Sequence, residues 1–291
     1  MELLAPAKLN LCLYVGQRGA NGLHEIASLF QPLALADRLT LTPAERDEVV
    51  CPGVEGPNLA MAALDELRAR GWGAPSVRVE IEKQIPVAAG LGGGSADAGA
   101  VLRAALGGER DMLGVEGGAI SGAVAGEIAA GIGSDVPSQI EPGFALVTGT
   151  GERIERLPPP AAHALVLVPL ERGLSAAEVY AGADRLGPGR ERAELEQIAA
   201  RLRAAADGGA SPLDYLELLV NDLQPAVLAL RPEAGAAIEA LEREGAARAL
   251  VTGSGPTVFG LFADRAAAER AAAALADAYP AALATIPDRE G

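Results

Sequence analysis

The chain has 291 residues, 49% of them apolar and 3% aromatic, enough for one large domain or two ordinary ones packed on Leu, Val and Ala. A net charge of −15, from 39 acidic against 24 basic residues, gives a surface that repels nucleic acid and anionic lipid. Two cysteines, Cys12 and Cys51, with no CxxC, and two histidines, His24 and His163, argue against a disulfide framework and against a cysteine- or histidine-based metal site.

The first residues show no basic segment followed by an apolar run, and no stretch of 18 apolar residues escapes a charge, Gly or Pro. The expectation is a cytoplasmic protein without a membrane span, acting as a monomer or homodimer. Residues 9–15 read as a buried strand. A turn at 16–22 leads to a second strand at 28–33, and 39–42 alternates as a third, half-buried one. Asn58 is placed to cap a helix running through Leu59, Ala62, Ala63, Leu67 and Ala69, which Gly71 ends. Over 76–83, Val77, Val79 and Ile81 fall on one face and Arg78, Glu80 and Glu82 on the other, the clearest strand in the chain.

A glycine-rich loop follows, then helices over 95–106 and 119–130 and strands over 143–148 and 153–157. Pro158-Pro159-Pro160 marks a boundary between domains 1–157 and 158–291. Beyond it come a short buried strand at 165–168 and three or four helices between 175 and 244, broken at 187–189. Strand 249–252, a second glycine loop, strand 257–262, helix 264–278 and strand 282–286 close the chain. This mixture predicts an α+β protein of two domains.

Four segments carry chemistry. The first is Pro86-Val87-Ala88-Ala89-Gly90-Leu91-Gly92-Gly93-Gly94-Ser95-Ala96-Asp97, set between a strand and a helix. Glycines let backbone N–H groups approach an anion, and a helix N-terminus adds free donors and partial positive charge, which together make a phosphate cradle. It is not a Walker A loop, because no Lys stands between Gly94 and Ser95, nor GxGxxG, because Ser95 takes the last glycine's place. Nor is it a GxSxG elbow, since Asp97 stands where the second elbow glycine belongs.

The second segment is Pro6-Ala7-Lys8-Leu9-Asn10-Leu11, a Lys inside a run that becomes a buried strand. Alone, such a Lys reads more readily as a snorkelling surface residue. The third is Gly131-Ile132-Gly133-Ser134-Asp135-Val136-Pro137, where Asp135 by itself reads as a turn aspartate, the functional alternative being a general base or a charge that orients an attacking hydroxyl. The fourth, Thr252-Gly253-Ser254-Gly255, is a second glycine loop able to close over phosphates or an acceptor.

In this order and spacing the four segments resemble the GHMP kinases, over nearly the whole chain. Asn21-Gly22-Leu23-His24-Glu25-Ile26, Ser28-Leu29-Phe30-Gln31 and Asn221-Asp222-Leu223 add to the match. With the opening Pro-Ala-Lys-Leu-Asn they point to the branch that phosphorylates a cytidine-diphosphate alcohol for isoprenoid precursors. The resemblance implies an N-terminal domain like ribosomal protein S5 domain 2, a ferredoxin-like C-terminal domain and an active site between them. It implies ATP and Mg²⁺, and a small cytidine diphosphate alcohol as partner.

By the same resemblance, Lys8 and Asp135 are the catalytic pair: Asp135 takes or orients the proton of the acceptor hydroxyl, and Lys8 lowers that hydroxyl's pKa. Pro86, Val87, Ala88, Ala89, Gly90, Leu91, Gly92, Gly93, Gly94, Ser95 and Ala96 hold the ATP phosphates, with Ser95 reaching Mg²⁺. Asn58 and Lys83 lie near the adenine. Asn10, His24, Phe30 and Tyr180 contact the acceptor, His24 through its backbone to cytosine. Leu23 stands where relatives usually carry a Tyr that stacks on the base, which leaves that role to Tyr180 and an aliphatic wall. The alternatives are a GHMP kinase acting on a homoserine- or mevalonate-like acid, which would want a basic residue in the pocket, and a catalytically silent nucleotide-binding protein on the same scaffold.

Overall fold

The computed structural model describes residues 1–107, 120–171 and 173–288. Two strands dominate the first half: β1 (Glu2–Arg18) and β2 (His24–Pro43), paired antiparallel from end to end. The separate strands expected at 28–33 and 39–42 are therefore one. Pro32 removes a ladder donor without breaking the strand, because β1 continues to pair along one edge. On the other edge the gap is filled from the far end of the chain, where Ala34 N–H donates to Ile286 O at 2.9 Å and Asp288 N–H to Pro32 O at 2.9 Å.

That second edge of β2 is shared. β4 (Val77–Glu82) pairs with Arg38–Pro43 and β5 (Ala145–Gly149) with Ile26–Phe30, while β6 (Arg153–Arg156) extends β5. A three-residue β3 (Glu48–Val50), too short to carry a sequence signal, runs parallel to β4. The alternation expected over 76–83 is present, with Val77, Val79 and Ile81 buried.

Four helices belong to this half: α1 (Leu59–Ala69), α2 (Gly93–Ala105), α3 (Gly122–Ile132) and α4 (Val136–Ile140). Asn58 caps α1 as its position predicts, Oδ1 accepting from Ala60 N–H at 2.8 Å. Gly71 follows in the left-handed region at φ +80°, a conformation that ends a helix and suits glycine. The helix expected over 119–130 starts at Gly122 because Ser121 Oγ accepts from Val124 N–H at 3.3 Å and so caps it. Ala119 lies outside the described residues.

The second sheet holds β7 (Ala164–Val168), β8 (Arg248–Val251), β9 (Val258–Phe262) and β10 (Leu283–Thr285), in the order β10-β7-β9-β8 with every pair antiparallel. In chain order that is fourth, first, third, second, the ferredoxin-like arrangement. Its helices are α5 (Ala176–Leu186), α6 (Arg192–Ala206), α7 (Gln224–Leu230), α8 (Glu233–Arg243) and α9 (Arg265–Leu275). One face, with Val166, Val251 and Val258, packs on α5 and α7–α9. The other, with Leu165, Leu167, Phe259 and Leu261, joins the first half's core, as do Leu195, Ile198 and Leu202 of α6. Burial on both faces explains why 165–168 and 257–262 read as continuous apolar runs rather than alternations. Among the described residues no helix is long and apolar enough to cross a membrane.

The approach of α2 to α4 fixes where Asp135 stands, since Asp135 immediately precedes α4. A Cβ added at Gly99 of α2 would lie 2.4 Å from the Gln139 carbonyl oxygen of α4, which is backbone and cannot swing aside. Gly99→Ala should thus lower stability by about 1–3 kcal/mol in denaturant unfolding, against the gain of about 1 kcal/mol that helix propensity alone would give.

Candidate active site

The site begins with two irregularities in β1. Its register against β2 shifts between Pro6 and Lys8 and again between Asn10 and Cys12. Such bulges re-aim side chains, and these two flank Lys8 and Asn10. Lys8 is only 7% exposed. Its ammonium lies 3.1 Å from Asp135 Oδ2, donates to Asn10 Oδ1 at 2.7 Å, and sits 5.1 Å from the centre of the Phe30 ring. A countercharge, an acceptor and a ring face make the buried charge tolerable, so Lys8 does not snorkel.

Asn10 is held on three sides. Its backbone N–H donates to Thr252 Oγ1 at 2.8 Å and its Nδ2 to Ser28 Oγ at 2.8 Å, while Ser28 passes the chain on to Cys12 O at 2.5 Å. Asp135 leads into α4, with its backbone carbonyl accepting from Ser138 Oγ at 2.7 Å. Its side chain is 31% exposed and faces a cavity of about 450 Å³. Lys8, Asn10, His24, Phe30, Asp135 and Tyr180, expected at the acceptor, all line this cavity. His24 and Tyr180 form a stacked pair with centroids 5.2 Å apart, and His24 Nδ1 faces Gly16 O at 2.8 Å. Leu23, 55% exposed, forms part of the aliphatic wall.

A second cavity of about 280 Å³ is lined by Asn58, Lys83 and the loop from Pro86 through Ser95. Ala96 is buried behind it. Gly92 joins the two cavities: at φ +71° it suits only glycine, and a Cβ there would lie 2.8 Å from Lys8 Cγ. Gly90, at φ +79°, abuts the second glycine loop, where a Cβ would lie 2.6 Å from Gly255 O. The donors at the start of α2 therefore open onto the phosphate loop within contact of Lys8.

The two residues expected near the adenine line this cavity with side chains already engaged by protein groups. The Asn58 side chain is occupied as the α1 cap. The Lys83 ammonium is drawn between Asp37 and Asp97, the latter at 2.8 Å, beneath the first turn of α2. Asp37, fully buried, also accepts from Gln84 and Ile85 N–H at 2.6 and 2.8 Å. This triad was missed in the sequence, although an Asp inside an apolar strand was a signal, since a carboxylate is buried only with partners.

The geometry has close counterparts. The family models described as "GHMP kinases N terminal domain" and "GHMP kinases C terminal" match residues 58–140 and 195–281. A 4-diphosphocytidyl-2-C-methyl-D-erythritol kinase of Moorella thermoacetica is 39% identical, covering 98% of both chains. One of Streptomyces coelicolor is 40% identical over 89% of this chain and 86% of that one. This chain belongs to the GHMP kinases. The crystal structure of a 4-(cytidine 5′-diphospho)-2C-methyl-D-erythritol kinase superposes with a TM-score of 0.75 at 32% identity, covering 99% of this chain and 100% of that one. A homoserine kinase from Cytophaga hutchinsonii shares the fold at a TM-score of 0.68 and 18% identity, covering 99% and 94% of the two chains.

In this kinase the triad sets a pH response. Burial pushes the Asp97 carboxyl up to about 6 against the pull of Lys83, and among the described residues its Oδ1 has no hydrogen-bond partner. A carboxyl whose folded pKa lies above its unfolded value binds more protons when folded, so its contribution falls as pH rises from about 4 to about 6. Asp97→Asn removes that penalty. The melting temperature of the variant relative to the parent should climb across that window and level off above it, as differential scanning calorimetry at stepped pH would read.

Proposed function

We propose that this kinase transfers the γ-phosphoryl group of ATP to the 2-hydroxyl of 4-diphosphocytidyl-2-C-methyl-D-erythritol, giving the 2-phosphate and ADP. The observation that carries the reading is one cavity lined by both a Lys8–Asp135 pair and a His24–Tyr180 stack. The pair suits a hydroxyl that must lose its proton, and the stack suits a planar base. The names of the relatives and the match over nearly the full chain support the same acceptor.

In this mechanism the acceptor hydroxyl lies against Asp135. As its oxygen bonds to the γ-phosphorus, the O–H proton passes to the Asp135 carboxylate, and the bond from phosphorus to the bridging oxygen breaks to release ADP. Lys8 stays protonated, fixes the carboxylate and stabilises negative charge growing on the attacking oxygen. Asn10 holds Lys8 in place. The loop from Pro86 through Ala96 and the start of α2 seat the phosphates, so that catalysis is mostly positioning and charge stabilisation.

Mg²⁺ prefers oxygen donors and takes most of them from substrate phosphates and water. The Ser95 hydroxyl, lining the phosphate cavity in the first turn of α2, is a donor of that kind. Bound there, the ion would neutralise phosphate charge. Residues 1–157 and 158–291 form the two domains of the proposal: β1–β6 precede the Pro158-Pro159-Pro160 link and β7–β10 follow it. A cytoplasmic location fits the small charged substrates.

Asp135→Asn and Lys8→Ala should each lower kcat by about 10²–10⁴-fold, with ATP affinity kept within a few fold. A coupled ADP-release assay with the cytidine alcohol, with homoserine and with mevalonate reads both the activity and the acceptor. Near-parental turnover by either folded variant would overturn the mechanism, and preference for homoserine or mevalonate would overturn the acceptor.

A further inference from the structure

Asn221 and Asp222 touch neither the acceptor nor ATP in the reading above, yet both connect to the site. They lie between the halves of the molecule. Leu13 N–H donates to Val220 O and Asp222 N–H to Leu13 O, both at 2.8 Å, so the segment runs as a short parallel addition to β1. From there the two side chains go to different places.

The Asn221 carboxamide, 5% exposed, is fully used. Its Nδ2 donates to Val251 O at 2.7 Å and to Gly253 O at 2.8 Å, and its Oδ1 accepts from Leu223 N–H at 2.9 Å. It therefore fixes the second glycine loop. Gly253 of that loop stands against the catalytic residues, since a Cβ there would be 3.0 Å from Asn10 Oδ1 and 3.7 Å from Lys8 Nζ. Thr252 accepts from Asn10 N–H, and Gly255 abuts Gly90 of the phosphate loop.

The Asp222 carboxylate takes a different set of partners. It binds the Arg190 guanidinium through both oxygens, at 2.6 and 2.8 Å, and accepts from Val15 N–H at 2.9 Å. The backbone of Arg190 brackets Gly16: its N–H donates to Val15 O at 2.9 Å and its carbonyl accepts from Gln17 N–H at 3.1 Å. The Arg190 guanidinium also lies 4.9 Å from the centre of the Tyr14 ring and pairs with Glu194. Gly16 O is the group that faces His24 Nδ1.

We infer that Asn221 and Asp222 are positioning residues that set the two ends of the acceptor cavity separately: Asn221 the phosphoryl-transfer end through Gly253, and Asp222 with Arg190 the base-binding end through Gly16 and His24. The inference rests on the acceptor reading above. It differs from a simple structural role in one respect: neighbouring residues of one segment must give opposite kinetic signatures.

The test is steady-state kinetics, calorimetric binding of cytidine diphosphate and thermal unfolding on Asn221→Ala, Asp222→Ala, Arg190→Ala and the Arg190→Ala/Asp222→Ala double variant. Asn221→Ala should lower kcat by about 10- to 100-fold, the scale of a small misplacement at the reacting centre, while still binding cytidine diphosphate like the parent. Asp222→Ala and Arg190→Ala should each raise the acceptor KM and weaken cytidine diphosphate binding by about tenfold with kcat nearly kept, and the double variant should be no worse than the poorer single. Asn221→Ser and Asp222→Asn, milder changes, should show the same split at smaller size if an alanine variant fails to fold. Variants that alter kcat and KM in the same proportion, or that melt earlier with parental kinetics, would overturn the inference while leaving the acceptor intact. A parent protein that neither binds cytidine diphosphate nor turns over the alcohol would overturn the acceptor reading, and this inference with it.

Discussion

The organising constraint is the cost of burying the Lys8 ammonium. An unpaired charge at 7% exposure would not survive, so β1, the Asp135 turn and Phe30 must all arrive at one point. Each comes from a different part of the chain. β1 places Lys8 with two register shifts, α4 follows directly from Asp135, and β2 brings Phe30 beneath the ammonium. The carboxylate that neutralises Lys8 is also the one exposed to the cavity. The contact that makes the fold tolerable is thus the contact on which the proposed mechanism relies. Replacing Asp135 removes both functions, because Lys8 is then a buried charge without its counterion.

The glycines act through the same point. In the sequence, Gly90 to Gly94 signify backbone approach to phosphate. In the fold, Gly92 and Gly90 are also where the loop touches Lys8 and the second glycine loop, while Gly253 touches Asn10 and Lys8. Three elements from both halves of the chain meet with no Cβ between them. The glycine pattern accordingly records close approach of backbone to protein as well as to ligand. A loop selected only for flexibility would not need its glycines at the positions that face Lys8 and Gly255.

Much of this was legible in advance, for physical reasons that differ by element. The strand at Val77–Glu82 was readable because one of its faces is wet, and α1 because Asn58 and Gly71 punctuate it. The length of β2 was hidden, since Pro32 and the segment up to Asp37 look like a break when the pairing that carries the strand through is non-local. β3 owes its existence to β4 alone. Within the site, motif residues sort into two cavities in line with what the family resemblance implies, but side-chain direction is not in the sequence. Lys83 turns to Asp37 and Asp97, and the Asn58 side chain turns to Ala60. Propensity reports which residue types stand together and leaves open which partner wins a competition among buried polar groups.

That competition bears on how so acidic a chain holds two anionic ligands. Both lysines that line the cavities are already neutralised, Lys8 by Asp135 and Lys83 by two carboxylates. Neither has a free positive charge to offer a phosphate. The acceptor cavity also has Arg18 in its wall, whereas in the glycine-loop cavity attraction must then come from groups that carry partial charge without a counterion, the N–H donors at the start of α2 and along the loop. Such donors are fixed by backbone geometry, cost no side-chain entropy on binding and do not titrate. They also leave the lysines for other work, Lys8 in its proposed role at the acceptor hydroxyl and Lys83 beneath α2 as a support. In the proposed mechanism, a split between anion binding by backbone and proton handling by side chains allows the glycine-rich loop and the Lys8–Asp135 pair to sit against each other without competing for charge.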